Sequence, residues 1–388
     1  MRLRLCAAVL ILMAVPALAE ETRHTFPPRH DWARCAPADC GMDAAKLAEA
    51  VTFAQANENP APRDQSLAWL RSFGQSEPHF GGILGPMAER GDVNGVVIHQ
   101  GKIVAEFGDT ARADMSHSIT KSFLSAVVGL AWQDGLIRST DSRVAQSMPT
   151  GVDLFAAPHN APITWQHLLQ QTSDWQGTLW GKPDWADRPV GATPQDWPKV
   201  PRNAPGSVYE YNDVRINVLA LAALHVWRKP LPVVLRERLM DPIGASNTWR
   251  WQGYTNSWIE LDGHHQQSVS GGGHWGGGLF INAQDMARVG LLYLRDGEWN
   301  GQRLISSEWI AKSRTPGSAN ANYGYANWFL NSGRKELPAA PESAYFFAGN
   351  GQNIIYVDEQ NDLVVVVRWI ANGPALNGFI ERVLAAKR

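Results

Sequence analysis

Cysteine is scarce in this sequence, with three among 388 residues. So few thiols exclude a disulfide-rich scaffold. A basic surplus is also missing, because 35 lysines and arginines stand against 37 acidic residues and the formal net charge is −2 at pH 7. Such a chain lacks the electrostatic footprint of a nucleic-acid-binding protein, so we expect no nucleic-acid partner. The 44% hydrophobic and 19% charged content is typical of a folded globular protein.

Long hydrophobic runs are confined to the N-terminus. Arg2 and Arg4 precede the apolar run Cys6–Val15, and Pro16–Ala19 supplies an A-x-A cleavage site. This order is typical of a signal peptide, which residues 1–19 would form. No later segment reaches about 18 consecutive apolar residues, so we expect no stable membrane insertion. The mature protein is therefore expected to be exported, as a periplasmic or secreted protein.

Cleavage of this peptide would remove Cys6 and leave Cys35 and Cys40, five positions apart. In an oxidising compartment we expect these two to form a small disulfide loop, and the alternative is a pair of free thiols. Export decides between them, because disulfides persist in oxidising compartments.

The hydrophobic pattern predicts strands near both ends of the chain. Gly95–His99 and Lys102–Glu106 flank Gln100–Gly101, which indicates a β-hairpin. Ile354–Val357 and Leu363–Val367 flank a polar turn and indicate a second hairpin. Since helices fill the middle, we expect an α+β fold. It would have an antiparallel sheet built from both chain ends and flanked by helices, with an inserted, mainly helical domain.

Four helices are predicted from apolar periodicity and end signals. They run from Asp43 to about Asn57, from Ser118 to Gln133 before Gly135, from Asn282 or Ala283 to Leu294, and over residues 374–387. Residues 58–92 carry no predicted element. The predicted units are the signal peptide at 1–19, an N-terminal arm, helix and irregular segment at 20–92, and a main domain at 93–388 with the helical insertion at about 140–290.

The sharpest chemical feature is the run Ser118-Ile119-Thr120-Lys121 at the start of the second predicted helix. Residues three apart on a helix are surface neighbours, so the Lys121 amine can reach the Ser118 hydroxyl. A serine hydroxyl becomes a nucleophile when a base takes its proton, and lysine serves as that base if burial lowers its pKa. The free N–H groups at a helix start also favour an oxyanion. A second match, Ser332–Lys335, lies in a polar stretch without an apolar face, and we discard it.

Further segments accompany this motif in order, namely Ile163–Ser173, Pro205–Asp213, Gly276–Arg288 and the final hairpin. Together they resemble the serine β-lactamase and penicillin-binding protein family, over roughly residues 90–388. Within that family the chain is most similar to the class C branch, with its esterases and 6-aminohexanoate-oligomer hydrolases. The resemblance implies a β-lactamase-like serine hydrolase domain in which Ser118 is the nucleophile and Lys121 the base.

The family uses a second proton-handling group, the tyrosine of a Tyr-x-Asn motif. Tyr211 is the match, and Asp213 stands where the family usually has asparagine. A tyrosine hydroxyl close to a lysine ammonium has its phenolate favoured, so Tyr211 is the expected proton shuttle. Tyr209 is the alternative, but the following Leu219-Ala220 fits the family's helix in register with Tyr211. Asp213 itself is a candidate substrate-binding residue.

The family's third element is Lys-Thr-Gly or His-Thr-Gly on a strand beside the nucleophile, and this chain has no Lys-Thr-Gly. Distance from the C-terminus matches that strand to Phe347–Gln352, whose small residues suit close backbone approach. Asn350 and Gly351 are therefore candidates for the second oxyanion N–H. His274 and Trp275 imitate His-x-Gly far from the C-terminus, and we expect them on a loop bordering the cleft.

No cofactor and no metal are expected. The spacing of His264 and His265 with His274 fits no common zinc pattern. Ten of the 17 tryptophans fall between Trp165 and Trp275. This cluster favours an aromatic cleft in the central region, although each tryptophan also fits ordinary packing.

The resemblance implies an exported serine hydrolase that cleaves small amides or esters, such as 6-aminohexanoate oligomers, through an acyl-enzyme. Its expected partner is therefore a small-molecule amide or ester. One alternative is a β-lactamase or a D-Ala-D-Ala cell-wall peptidase. Another, of a different class, is a non-catalytic binding or sensor protein on the same fold. Ser118, Lys121 and Tyr211 together argue against that last alternative, because a pure binder needs none of them.

Overall fold

The computed structural model describes residues 24–29, 31–77 and 82–388, so the predicted signal peptide lies outside the described residues. The α-helices α1 to α10 are Ala44–Ala56, Gln65–Leu70, Phe73–Ser76, Thr120–Gln133, Trp165–Leu169, Asp213–Trp227, Leu231–Leu235, Ala283–Leu294, Ser307–Ser313 and Pro374–Ala385. The strands β1 to β14 are Asn94–His99, Lys102–Phe107, Asp114–Met115, Thr178–Leu179, Lys182–Pro183, Arg250–Leu261, His264–Val269, Gly278–Ile281, Glu298–Trp299, Gln302–Arg303, Phe329–Leu330, Tyr345–Gly349, Asn353–Asp358 and Leu363–Arg368.

The main sheet has six strands in the order β11-β12-β13-β14-β1-β2, and every neighbouring pair is antiparallel. β1 and β2 come from the N-terminal third of the chain, whereas the other four come from its C-terminal end. The two ends of the chain therefore meet where β1 pairs with β14. Both predicted hairpins are confirmed, as β1–β2 and β13–β14, and so is the α+β fold class.

Strand β14 shows how the two faces of this sheet are filled. Successive side chains point to opposite faces of a strand. Val365 and Val367 pack in the core cluster that contains α1 and α10 residues, whereas Val364 and Val366 belong to the other cluster. On that second face Gly290 of α8 approaches so closely that a Cβ there would lie 2.6 Å from Val364 Cγ1. Helices thus cover both faces, which explains the unbroken apolar run in β14.

Predicted caps set the helix boundaries. The Asp43 carboxylate accepts two backbone N–H groups in the first turn of α1, and the Asn282 side chain accepts one in α8. Gly135 follows α4 with a φ of 75°, a conformation that glycine adopts without steric cost. The predicted terminal helix is confirmed as α10.

Two segments contain elements that the sequence did not predict. The predicted helical insertion contains β6, β7 and β8, which join β3 in a sheet of order β3-β8-β6-β7. A register shift between Gly253 and Trp258 interrupts β6, so its side chains do not alternate regularly. The segment 58–92 contains α2 and α3, and α2 is capped by Asp64. Helices this short show no clear periodicity in a sequence.

Cys35 and Cys40 form a disulfide, as expected for an oxidising compartment. Among the described residues, no single helix combines the length and apolarity needed to cross a membrane. The pair Asp213–Trp227 and Leu231–Met240 meets that test only together, on length and composition, and is bent by 74°.

Candidate active site

Ser118 lies in a short 3-10 turn, and α4 begins two residues later at Thr120 rather than at Ser118 itself. The preceding residue, His117, has a φ of 49°. A left-handed conformation costs a non-glycine residue free energy, and such strain concentrates at functional sites. The turn is fixed on both sides, because Ser116 N–H donates to Leu279 O at 2.8 Å and Leu279 N–H donates to Thr120 Oγ1 at 3.0 Å.

The buried guanidinium of Arg368 holds the segment that leads to Ser118. It donates to Met115 O and Asn353 Oδ1, each at 2.8 Å, and also to Ile281 O. Burial lowers the pKa of Arg368 to about 10, which leaves it charged at neutral pH. Hydrogen bonds from a charged group contribute about 1.5–3 kcal/mol each. Arg368 therefore ties β3, β8 and β13 together directly behind the candidate nucleophile.

The structure brings the three predicted catalytic residues together. Lys121 Nζ donates a hydrogen bond to Ser118 Oγ at 2.9 Å, and the Lys121 side chain is 0% exposed. The Tyr211 hydroxyl also interacts with Ser118 and Lys121, and both interactions lower its pKa. Lys121 Nζ also lies 4.6 Å from the centroid of the Tyr211 ring. Ser118 thus contacts a candidate base and a candidate proton shuttle at once.

The alternative tyrosine, Tyr209, occupies a different position. Its ring packs against Tyr323, with 5.1 Å between centroids, and it lines a neighbouring pocket. Tyr211 is therefore the tyrosine that contacts Ser118 and Lys121, as the sequence register predicts.

Asp213, at the family's asparagine position, contacts Lys121 directly. Its Oδ1 lies 2.5 Å from Lys121 Nζ, and the two side chains are 2% and 0% exposed. Asp213 is the first residue of α6, and its N–H donates to Asp187 Oδ2 at 2.5 Å. Gly272 leaves space for the pair, because a Cβ there would lie 2.3 Å from Lys121 Nζ and 2.4 Å from Asp213 Oδ2. Asp213, which was expected to bind substrate, therefore forms an ion pair with Lys121 instead.

This contact changes the expected protonation of Lys121. Burial disfavours its ammonium form, but the Asp213 carboxylate and Tyr211 outweigh burial and raise the pKa of Lys121. Burial also favours the neutral acid of Asp213, yet Lys121, His274 and Arg188 outweigh it and lower the pKa of Asp213. Burial thus acts in the expected direction, but the net shift of the lysine pKa is upward, opposite to what a resting base needs. At rest the two groups form an ammonium–carboxylate pair.

The neighbouring hydroxyl and imidazole are neutral at rest. Burial raises the pKa of Tyr211 more strongly than the Lys121 ammonium lowers it, and Asp213 adds to the rise. Tyr211 is consequently a phenol, not the phenolate that a lysine neighbour alone would favour. Burial lowers the pKa of His117 to about 4, and its Nε2 is hydrogen-bonded to Gln65 Oε1 at 2.9 Å.

Ser118 opens onto a narrow cleft. Its walls include Asp213, Gly272 and Asn350. Residues of α2 and α3, such as Trp69, also line the cleft. The free volume is about 30 Å³. A water needs roughly 10–15 Å³ of such space, so side chains nearly fill the cleft.

The strand predicted to line the nucleophile is β12. A Cβ on Gly349 would lie 2.1 Å from Ser116 O, so only glycine allows β12 to approach this closely. Asn350 follows the strand and lines the cleft, as expected. Gly351 does not line it, because this residue turns with a φ of 78° and packs against Trp369.

His274 also lines the cleft, within a buried cluster of charged groups. Its Nε2 lies 2.8 Å from each carboxylate oxygen of Glu77 and 3.7 Å from Asp187 Oδ1. These three residues offer possible metal ligands within 4.8 Å of one another, but hydrogen bonds and ion pairs between them already account for that spacing. Burial acts to lower the pKa of His274, yet Asp187 and Glu77 outweigh it and raise this pKa.

The other expectations for this loop need correction. Trp275 is buried, with Lys182 Nζ 4.7 Å from its ring centroid, and it does not line the cleft. His264 and His265, on β7, are exposed to solvent, whereas His274 lies in the interior of the protein.

Sequence reasoning missed three charged residues of the site, namely Glu77, Asp187 and Arg188. The Arg188 guanidinium pairs with Asp187 and lies 5.0 Å from the Tyr211 ring centroid. Glu77 follows α3, in a segment without a predicted element, and the other two lie in an irregular loop. No periodic pattern marks such positions, because only the tertiary fold brings them together.

With this geometry in view, the comparison with known families gives the class of protein. The family model Beta-lactamase matches residues 87–386. The chain therefore belongs to the β-lactamase family, whose fold is shared by serine hydrolases of esterase, amidase and penicillin-binding protein type. A sequence search of the curated proteins finds no match.

Solved structures show the same fold at low sequence identity. A family VIII carboxylesterase is 17% identical with a TM-score of 0.57, covering 89% of this chain and 99% of its own. A penicillin-binding protein homologue from Caulobacter crescentus is 14% identical with a TM-score of 0.54, covering 84% and 98%. A 6-aminohexanoate-dimer hydrolase assigned in Bacillus anthracis is 16% identical with a TM-score of 0.50, covering 75% and 77%.

Proposed function

We propose that this protein is an exported serine hydrolase that cleaves small amides or esters through an acyl-enzyme on Ser118. The observation that carries this proposal is the contact of Ser118 Oγ with Lys121 Nζ at 2.9 Å, with the Tyr211 ring centroid 4.6 Å from the same Nζ. Nucleophilic catalysis needs such a hydroxyl beside groups that accept and return its proton. No cofactor is required.

In the proposed acylation, Lys121 must lose a proton before it can accept one. Asp213 is the nearest acceptor, at 2.5 Å from Lys121 Nζ. As Lys121 passes a proton to the Asp213 carboxylate, it takes the Ser118 proton, and Ser118 Oγ bonds to the substrate carbonyl carbon. Lys121 remains an ammonium ion, and the proton from Ser118 is in effect stored on Asp213. This route avoids a neutral lysine in the resting enzyme.

The tetrahedral intermediate then collapses as the leaving group is protonated. Tyr211 gives its hydroxyl proton to the leaving nitrogen or oxygen and is reprotonated by Lys121, which recovers a proton from Asp213. An N–H of the turn at Ser118 and one near Asn350 would hold the oxyanion. In deacylation the oxygen of a water molecule bonds to the acyl carbon, and the bond between that carbon and Ser118 Oγ breaks. The proton lost by the water passes along the same relay to Ser118 Oγ.

A small amide or ester is the proposed substrate, and 6-aminohexanoate oligomers are the most specific substrate that the family resemblance suggests. The similar structures described as a carboxylesterase and a 6-aminohexanoate-dimer hydrolase support this substrate class. Ala348, Gly349 and Asn350 place no cation on β12 beside Ser118. This absence favours a neutral amide or ester over the substrates of a β-lactamase or a D-Ala-D-Ala peptidase, which carry a carboxylate. It also leaves the terminal carboxylate of a 6-aminohexanoate oligomer without a partner on β12.

Rapid mixing with p-nitrophenyl butyrate tests the proposed acyl-enzyme. We expect a burst of p-nitrophenol equal to the enzyme concentration, and a butyryl group on the peptide that contains Ser118. The matched control is Ser118→Ala, which should give neither. Substrate binding without an adduct on any serine would instead support the non-catalytic binding protein.

Export is proposed from the predicted signal peptide and is consistent with the Cys35–Cys40 disulfide. Mass spectrometry of the protein recovered outside the cytoplasm should give Glu20 as the first residue and a mass two hydrogens light. An intact N-terminus on a cytoplasmic protein would contradict this part of the proposal.

A further inference from the structure

A second cavity adjoins the cleft, and we call it the side pocket. It has a volume of about 300 Å³ and includes Val190, Val200 and Val208 in its lining. Arg188 lines both the side pocket and the cleft that contains Ser118. An apolar cavity of about 150 Å³ holds a benzene molecule, so the side pocket has room for an apolar group of roughly six to eight carbons.

Exposed apolar side chains form part of the wall of the side pocket, alongside charged residues. Val190, Val200 and Val208 are 62%, 40% and 44% exposed, and they are three of the six exposed large apolar side chains in the described residues. Trp185 and Trp197 also line the pocket, with 6.3 Å between their ring centroids. Single exposed apolar residues need no explanation, but three in one concave site indicate a binding surface.

The charged groups of the side pocket are paired with one another. Arg215 contacts Asp174 at 2.5 Å and Glu210 at 2.8 Å. Arg202 forms an ion pair with Asp184. Because these charges are already compensated, the side pocket is better suited to a neutral apolar group than to an ion.

The position of Tyr211 indicates which part of a substrate enters the side pocket. In the proposed mechanism Tyr211 protonates the leaving group, so the leaving atom must lie within hydrogen-bonding reach of its hydroxyl. The Arg188 guanidinium lies over the Tyr211 ring and also lines the side pocket. Tyr209, two residues before Tyr211, forms another part of the wall. The side pocket therefore lies on the leaving-group side of Ser118.

We infer that the side pocket binds the apolar chain of the leaving alcohol or amine, so that the enzyme selects substrates whose leaving group carries an apolar chain of about six carbons. This inference rests on the proposed serine hydrolase function and adds the specificity-determining residues Val190, Val200 and Val208. The cavity lined by Leu136, by contrast, includes none of the residues that line the cleft.

Primary alkyl acetates test this inference because they share the acyl group and release alcohols of nearly equal acidity. For the series ethyl, butyl and hexyl acetate, we expect kcat/KM to rise with chain length. Each fully buried methylene contributes up to about fourfold, so the four additional methylenes of hexyl acetate allow a gain of up to about 250-fold over ethyl acetate. With partial burial we expect a gain of about tenfold or more. The acetyl-enzyme is common to the series, so its hydrolysis rate should not change with the alcohol.

The double variant Val200→Ser/Val208→Ser should reduce the hexyl-to-ethyl ratio to below about threefold, because the pocket wall becomes polar. The matched control is Leu136→Ser, which removes an equally exposed apolar side chain from the other cavity and should preserve the ratio. An unchanged ratio in the double variant would overturn the inference. A chain-length effect confined to the acyl group, in ethyl acetate against ethyl hexanoate, would also overturn it. No hydrolysis of any ester and no acylation of Ser118 would instead contradict the proposed function itself.

Discussion

Asp213 Oδ1 lies 2.5 Å from Lys121 Nζ, and both side chains are buried beside Ser118. The carboxylate thus stabilises the protonated form of the group that the family motif assigns as a base. Two different mechanisms are compatible with a Ser-x-x-Lys motif, and Asp213 distinguishes them. If Asp213 accepts the proton from Lys121, the enzyme works with the ion pair intact. If it does not, activity requires the neutral amine.

Asp213→Asn separates these mechanisms through the pH dependence of kcat/KM. The pKa of Asp213 is lowered, so its carboxylate is lost only as the pH falls through that lowered value. We expect kcat/KM of the wild type to stay level from about pH 8 to about pH 5. The variant lacks the acceptor and must form neutral Lys121, so its kcat/KM should rise with pH across this range. An alkaline limb in the wild type that the variant moves to lower pH would contradict the relay through Asp213.

Other ionisable groups lie near the Lys121–Asp213 pair, and their protonation must be considered when the pH dependence of kcat/KM is interpreted. His274 and Arg188 face Asp213, and Tyr211 faces Lys121. Arg188 stays protonated throughout, and the pKa values of Tyr211 and His274 are both raised. A His274→Gln variant should therefore keep the difference between the wild type and Asp213→Asn.

Substitution of the two tyrosines tests the assignment of the proton shuttle. Tyr211→Phe removes a hydroxyl that interacts with Ser118 and Lys121, and should reduce kcat by about 10²-fold or more. Lys121→Ala should cause a similar loss, and the double variant should lose less than the sum of the two free-energy changes. Tyr209→Phe is the matched control and should retain most of the activity. An inactive Tyr209→Phe beside an active Tyr211→Phe would transfer the role to Tyr209.

Gly272 gives a purely steric test of the ion pair. A Cβ at this position would overlap both Lys121 Nζ and Asp213 Oδ2, so Gly272→Ala must displace one of them. Misplacement of a catalytic group by about 1 Å costs roughly 10²-fold in rate, and we expect that loss in kcat/KM. Gly317→Ala serves as control, because its Cβ would meet only ordinary contacts of 3.4 Å or more. Equal activities for the two variants would show that the pair does not need its present geometry.

Substrate charge distinguishes the proposed activity from that of a β-lactamase. A charge-assisted bond to a substrate carboxylate contributes about 1.5–3 kcal/mol, and its loss costs roughly 10- to 150-fold in kcat/KM. Since β12 lacks a cation and Arg188 is paired with Asp187, we expect slow turnover of a chromogenic cephalosporin and clear hydrolysis of p-nitrophenyl butyrate. A cephalosporin that is much the better substrate, with its advantage lost in Arg188→Ala, would favour the β-lactamase alternative.

Much of the fold could be predicted from the sequence because its signals are local. The strands of the two hairpins, the caps Asp43 and Asn282, and the Ser118–Lys121 spacing each depend on residues close together in the chain. Strand β6 could not be predicted, since its register shift disrupts the alternation of side chains.

The electrostatics of the site could not be predicted for a different reason. Burial alone would lower the pKa of Lys121, and the sequence does not show that Asp213 comes within 2.5 Å of it. Glu77 and Asp187 lie far apart in the chain and meet at His274 only in the folded protein. Charge networks of this kind depend on long-range packing, which periodicity and motifs do not encode.

The central claim is that Ser118 is the nucleophile, and labelling with a fluorophosphonate tests it most directly. Peptide mapping after reaction of the folded protein should find the label on Ser118 alone, and Ser118→Ala should lose both the label and about 10³-fold or more of the ester hydrolysis. Ser332→Ala, which alters the other Ser-x-x-Lys match, should label like the wild type. A label on Ser332, or full hydrolysis by Ser118→Ala, would contradict the account.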